Sequence, residues 1–170
     1  GTQTEINANS HFGLGMSLQQ ANLKATLSDS DGKQFEAGAI YKRQLAATML
    51  SGSVSAGQAS YKTVRRIEQP FVVAAAESAQ SIKYGAVHGR ISRDFQFGEN
   101  RYLRPLLDLG YTRLHRSSFI ERGADGANLK IAGEHDDITT AQPALEFGGE
   151  IERASGTLVR PFVRIGATHY

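Results

Sequence analysis

Several stretches of this chain alternate apolar and polar side chains with a period of two, and hold the alternation longer than strands of soluble proteins usually do. In YLRPLLDLGYT, Leu103, Pro105, Leu107, Leu109 and Tyr111 share one parity, while Arg104, Leu106, Asp108, Gly110 and Thr112 share the other. In SHFGLGMSLQ, Phe12, Leu14, Met16 and Leu18 alternate with His11, Gly13, Gly15, Ser17 and Gln19. QFEAGAIYKRQ sets Phe35, Ala37, Ala39 and Tyr41 against Glu36, Gly38, Lys42 and Gln44, with Ile40 out of step. TAQPALEFGGEI and TLVRPFVRIGATHY repeat the pattern, and Leu45 to Tyr61 and Ser81 to Phe97 carry weaker versions of it. Successive side chains of a strand point to opposite faces, so the spacing predicts strands with one greasy and one polar face; a helix would scatter the charges among the leucines.

The pattern gives about seven strands, most of them longer than the ~5–6 residues usual in soluble proteins. SDSDGK (28–33), RGADGAN (122–128), GEHDD (133–137) and ERASGT (152–157) carry turn chemistry, so the strands are expected to follow one another in an antiparallel, up-and-down, all-β meander. IEQPFVVAAAESAQS (67–81) fits either a short helix or a strand continuing after Pro70. Pro105, Pro143 and Pro161 lie on the apolar parity, and because proline cannot donate to a ladder they are expected at strand starts or bulges.

With 170 residues, 40% hydrophobic and 21% charged, the chain makes one domain, residues 1–170. Cysteine is absent, which excludes a disulfide framework, a thiolate metal site and a cysteine nucleophile. A net charge of +2, from basic and acidic residues mixed along the chain, gives little support for nucleic acid as a partner. No window is long and apolar enough for a membrane helix, which leaves a β-barrel open. GTQTEINANS lacks the basic and apolar regions of a signal peptide, and the start at Gly1 reads as that of a processed or excised piece.

The residues offer no catalytic signature: no nucleophile elbow, phosphate loop or zinc-protease helix is present. Hence no catalytic, cofactor or metal residue is expected. The histidines are dispersed along the sequence, Glu134-His135-Asp136-Asp137 reads as a solvated loop tip, and GLG at 13–15 lacks the helix a pyrophosphate site needs. The sharper feature is the charged set on the polar parity: Arg90, Asp94, Arg104, Asp108, Glu146, Glu150, Arg160 and Arg164. In a soluble sandwich or ligand-holding barrel this set is the wet face of a sheet; in a membrane barrel it lines the lumen while the apolar set faces lipid. Strand length, the many small residues and the scarcity of bulky ones favour the membrane. The tyrosines, Tyr41, Tyr61, Tyr84, Tyr102, Tyr111 and Tyr170, suit interfacial girdles or plain β propensity equally. A surface adhesin would show repeats, and no period is evident.

Pro105, Leu107, Asp108, Leu109, Tyr111 and Thr112, then Phe119, Glu121 and Gly123, then LEFGGE and LVRPFVRIG, form an order that resembles the translocator β-barrel of autotransporters, the type V secretion proteins of the Gram-negative outer membrane. Upstream, Asp31 to Tyr41 and the Ser/Gly-rich run ending near Tyr61 and Arg65 look like earlier strands of the same barrel. The resemblance implies a twelve-stranded barrel threaded by a helix, a pore and anchor through or with which an N-terminal passenger reaches the cell surface. It also implies outer-membrane lipid and the barrel assembly machinery as partners, and no enzyme. The sequence departs from that pattern in showing no passenger, no pore helix and no strands after Tyr170. It is expected to be an incomplete outer-membrane β-barrel with two unpaired edges, since about seven strands cannot close one. Arg104 and Asp108 are expected to pair across strands, with partners such as Glu146 or Arg160, rather than with each other.

Overall fold

The computed structural model describes residues 1–69, 72–152 and 155–170. Eight strands follow one another as an antiparallel meander in a single sheet: β1 (Thr2–Asn7), β2 (Ser10–Ala25), β3 (Ser28–Leu45), β4 (Thr48–Gln69), β5 (Val72–Arg93), β6 (Arg101–Arg116), β7 (Glu134–Gly149) and β8 (Phe162–Gly166). Each pairs with its sequence neighbour, and among the described residues β1 and β8 are the free edges. Phe95–Gln96 adds a short pairing to β6, and Phe119–Ile120 with Lys130–Ile131, and Ile151–Glu152 with Leu158–Val159, form small hairpins in the two longer connections.

The alternation produces this sheet directly. Register carries each parity across the ladder: Leu14 faces Ala39, Ala39 faces Val54, Val54 faces Val87, and Val87 faces Tyr111, all on one side. That side is left uncovered. Met16 is 76% exposed, Leu18 81% and Ile165 75%, while Leu14, Val54, Val87, Leu109, Leu145 and Val163 are exposed with them. Leaving such side chains in water forfeits on the order of 1.5–3 kcal/mol each, so the face demands an apolar surrounding. Among the described residues the buried hydrophobic ones are few and mostly small: Ala59, Ile67, Ala76, Ala86, Leu106 and Ala124. The soluble sandwich is therefore not what the chain builds, because a sandwich hides its apolar face under a second layer and this sheet has one layer.

The other face is concave. Ile40 and Lys42 of β3 line the same groove, about 620 Å³ in volume, as Gln142 of β7 and Tyr170 near the C-terminus, so the sheet curls until distant strands approach. The apolar stripe runs obliquely to the register. Leu18 and Phe35 sit in the row that ends on β6 and β7 at His115 and His135, whereas the bulky apolar residues of β7, Leu145 and Phe147, lie further along the strand. Such a shift from strand to strand is the stagger of tilted strands in a barrel wall.

Several expectations need correction. Eight strands form the meander, because TQTEIN at the N-terminus pairs with β2 despite its weak alternation. SDSDGK begins β3, with the turn earlier at Thr26 and Leu27, and Glu134 to Asp137 of GEHDD begin β7, so that stretch is strand and not turn. Residues 67–69 and 72–81 are extended, which removes the helix, while Pro70 lies outside the described residues. ERASGT spans a connection of which residues 153–154 are likewise outside them. Only Pro161 precedes a strand. Pro105 and Pro143 lie inside β6 and β7 without a bulge, at gaps in a ladder: Pro105 between the pairs Ser92↔Leu106 and Phe95↔Leu103, and Pro143 between Ala144↔Gly166 and Ala141↔His169. There the missing N–H leaves no donor position to fill.

Candidate functional site

The concave face collects Arg90, Asp94, Arg104, Asp108, Glu146 and Arg164 of the charged set, while Glu150 and Arg160 lie outside the strands in the connection from β7 to β8; all eight pair within the set. Arg90 on β5 stands directly opposite Asp108 on β6, with its Nε 2.5 Å from Oδ1 and its Nη2 donating to Oδ2 at 2.9 Å. Arg104 on β6 reaches two carboxylates. Its Nη2 donates to Asp94 Oδ2 at 2.8 Å, and its Nη1 to Glu146 Oε1 at 3.0 Å. Arg164 on β8, directly opposite Glu146, donates from Nε to Oε2 at 2.9 Å. Arg160 donates to Glu150 Oε1 at 2.9 Å, bracing the connection that enters β8. Arg104 thus meets Glu146 as expected, but Asp108 takes Arg90, and Arg160 takes Glu150.

Glu146 is the centre of this network. It is 2% exposed, and its two oxygens accept from Arg104, Arg164 and the hydroxyl of Tyr102, the last at 2.9 Å. A carboxylate removed from water needs this many charge-assisted donors to stay ionised. Tyr102 also places its ring under the Arg104 guanidinium, 4.7 Å from the centroid. That ring lies against Gly148, where an added Cβ would come within 2.5 Å of the Tyr102 hydroxyl oxygen. Gly57 stands in the same relation to Tyr84, whose hydroxyl accepts from Gln34 Nε2 at 3.3 Å. Tyr61, Tyr84 and Tyr102 therefore share the concave side, by parity and contact, and do not form a girdle; Tyr41 and Tyr111 are on the apolar side. Tyr102 was legible in principle, since it has the parity of Arg104.

A second cluster lies where β4 and β5 run past the groove. The connection between β6 and β7 folds back onto the concave side there, with Ala124 packed on Ile67 and Ala76. Glu121, 5% exposed, receives Arg65 through Nε at 3.1 Å and Nη2 at 2.5 Å, together with the Leu129 amide at 3.0 Å. The guanidinium holds the Glu121 carboxyl below its ordinary range, against the opposing effect of burial. Gly123 takes φ 100° and lies against the Ala75 carbonyl, where a Cβ would approach to 2.6 Å. The residues Phe119, Glu121 and Gly123 thus form a docked loop: Phe119 pairs with Ile131, Glu121 binds Arg65, and Gly123 permits the close approach.

Among the described residues no three potential metal ligands converge. His115 and His135, remote in sequence, nevertheless stack with ring centroids 4.3 Å apart, and Asp137, in a strand and not a loop tip, accepts from the Tyr111 hydroxyl at 2.7 Å.

The family profile described as autotransporter beta-domain matches residues 1–170. The chain belongs to the autotransporter β-domain family. That membership places it in the outer membrane of a Gram-negative bacterium. Its fold is similar to the translocator domain of autotransporter NalP from Neisseria meningitidis, with TM-score 0.76 and 11% identity over 98% of this chain and 56% of that one. It is also similar to the beta domain of the Bordetella autotransporter BrkA, with TM-score 0.64 and 19% identity over 94% of this chain and 62% of that one. The chain thus spans little more than half the length of these barrels. No curated protein sequence matches it significantly.

Proposed function

We propose that this β-domain supplies the wall of a translocator, an outer-membrane pore and anchor through or with which an N-terminal passenger reaches the cell surface. Arg90, Asp94, Arg104, Asp108, Glu146, Glu150, Arg160 and Arg164 then face a wet lumen, where their pairing links β5, β6, β7 and β8. The observation that carries the reading is a one-layer curved sheet with an exposed apolar face on one side and paired charges on the other. A membrane barrel turns these two faces towards lipid and channel respectively. The passenger and the barrel assembly machinery are the protein partners of this reading, and it assigns the domain no catalytic step.

Cysteine accessibility tests it, because this domain has no cysteine of its own and any elsewhere in the protein can be replaced by serine. In the full-length protein in outer membranes, Ser53→Cys on the concave side is expected to react with a small hydrophilic maleimide, and Val87→Cys on the apolar side to be protected. Equal labelling of the two would sink the assignment of faces. Surface display of the passenger, measured by protease shaving of whole cells, is expected to vanish when this domain is deleted.

A further inference from the structure

On the apolar side, the stripe ends on β5, β6 and β7 at a group of basic residues, two of them histidines. Lys83 stands opposite His115, which stands opposite His135, forming one lateral row. One step nearer the apolar stripe, Arg113 stands opposite Gly85, and Gly85 opposite Ala56. All four basic or titratable side chains, Lys83, Arg113, His115 and His135, are exposed. Gly85 leaves an open slot on this face, since an added Cβ there would meet no heavy atom nearer than 4.0 Å. Below the slot lie Val54 and Val87, both exposed, then Gly52 and Gly89. A strip of small and apolar residues therefore runs away from the basic group.

We propose that Lys83 and Arg113, with His115 and His135 behind them, bind the phosphate of an anionic membrane lipid whose acyl chain lies along Gly85, Val87 and Gly89. The proposal rests on the apolar face being the lipid face. Charge complementarity selects the occupant: a headgroup phosphate offers several acceptor oxygens, which Arg engages through two donors and Lys as a point charge. The neighbouring groups are compatible with it. Gln58 and Ser60 of β4 and Ser81 of β5 are uncharged, and Asp137 of β7 is already held by the Tyr111 hydroxyl and by Arg113 at 3.7 Å.

The full-length protein, purified in mixed micelles of phosphatidylglycerol and phosphatidylcholine with matched acyl chains, tests this by native mass spectrometry. Phosphatidylglycerol is expected to be retained preferentially. Lys83→Gln and Arg113→Gln should each reduce that preference about fivefold. Gly85→Leu should reduce it without altering charge, whereas Arg43→Gln, an outward basic residue near the other rim, should leave it unchanged. Equal retention of the two lipids, an equal effect of Arg43→Gln, or displacement by inorganic phosphate as complete as by the lipid would overturn the proposal. Recovery of a lipid-free, detergent-independent protein would overturn the membrane-wall reading with it.

Discussion

Glu146 concentrates the residue-scale chemistry, since three donors from β6 and β8 meet on its two oxygens. Glu146→Gln leaves Arg104 and Arg164 facing an amide. Its arginine partners are 32% and 40% exposed, and water recovers part of the loss, so the expected cost is about 1–3 kcal/mol, read as a lower urea midpoint for the lipid-reconstituted protein. Gly148→Val is expected to destabilise in the same assay, because the new side chain displaces the Tyr102 ring and with it one of the donors to Glu146. Asp108→Arg sets like charges directly across from Arg90 and is expected to slow barrel assembly, followed as the gain of heat-modifiable mobility in gels. Parity alone assigned Arg104, Asp108 and Glu146 to a common face. It did not assign partners, because pairing depends on register, which connections of unequal length set.

The docked connection between β6 and β7 is an element whose stability follows pH. The Glu121 carboxyl titrates lower in the fold than in the unfolded chain, mainly because of Arg65. Its contribution is therefore fully present above the ordinary carboxylate range, near pH ~4.3, and is lost as pH falls through the lower folded value. Hydrogen-exchange protection in residues 117–133, measured relative to the intrinsic rate at each pH, is expected to be unchanged between neutral and mildly acidic pH and to fall only below that range. Glu121→Gln should bring that loss of protection to neutral pH. The strands themselves were legible from period-two alternation, but several ends were not. Asp29, Ser30, Asp31 and Gly32 have turn chemistry, yet they stay extended because cross-strand partners satisfy them: Asp29 meets Arg66, and Ser30 Oγ lies 2.5 Å from Thr63 Oγ1. The actual turn between β3 and β4 uses Ala46 at φ 51°, a residue that gives no signal of it.

For the whole molecule, the two faces predict opposite tolerances. Val87→Lys is expected to cost about 2–4 kcal/mol if that site lies near the bilayer midplane, and Ser53→Lys on the concave side close to nothing, measured by unfolding in matched vesicles. The eight charges of the paired set also balance, with Arg90, Arg104, Arg160 and Arg164 against Asp94, Asp108, Glu146 and Glu150. Every member of that set already has a counter-charge within it, so on the translocator reading a polypeptide sliding past is expected to gain little by binding to any of them. In the proposed translocator such a surface is expected to be non-stick, so that width and not chemical affinity decides what can go through.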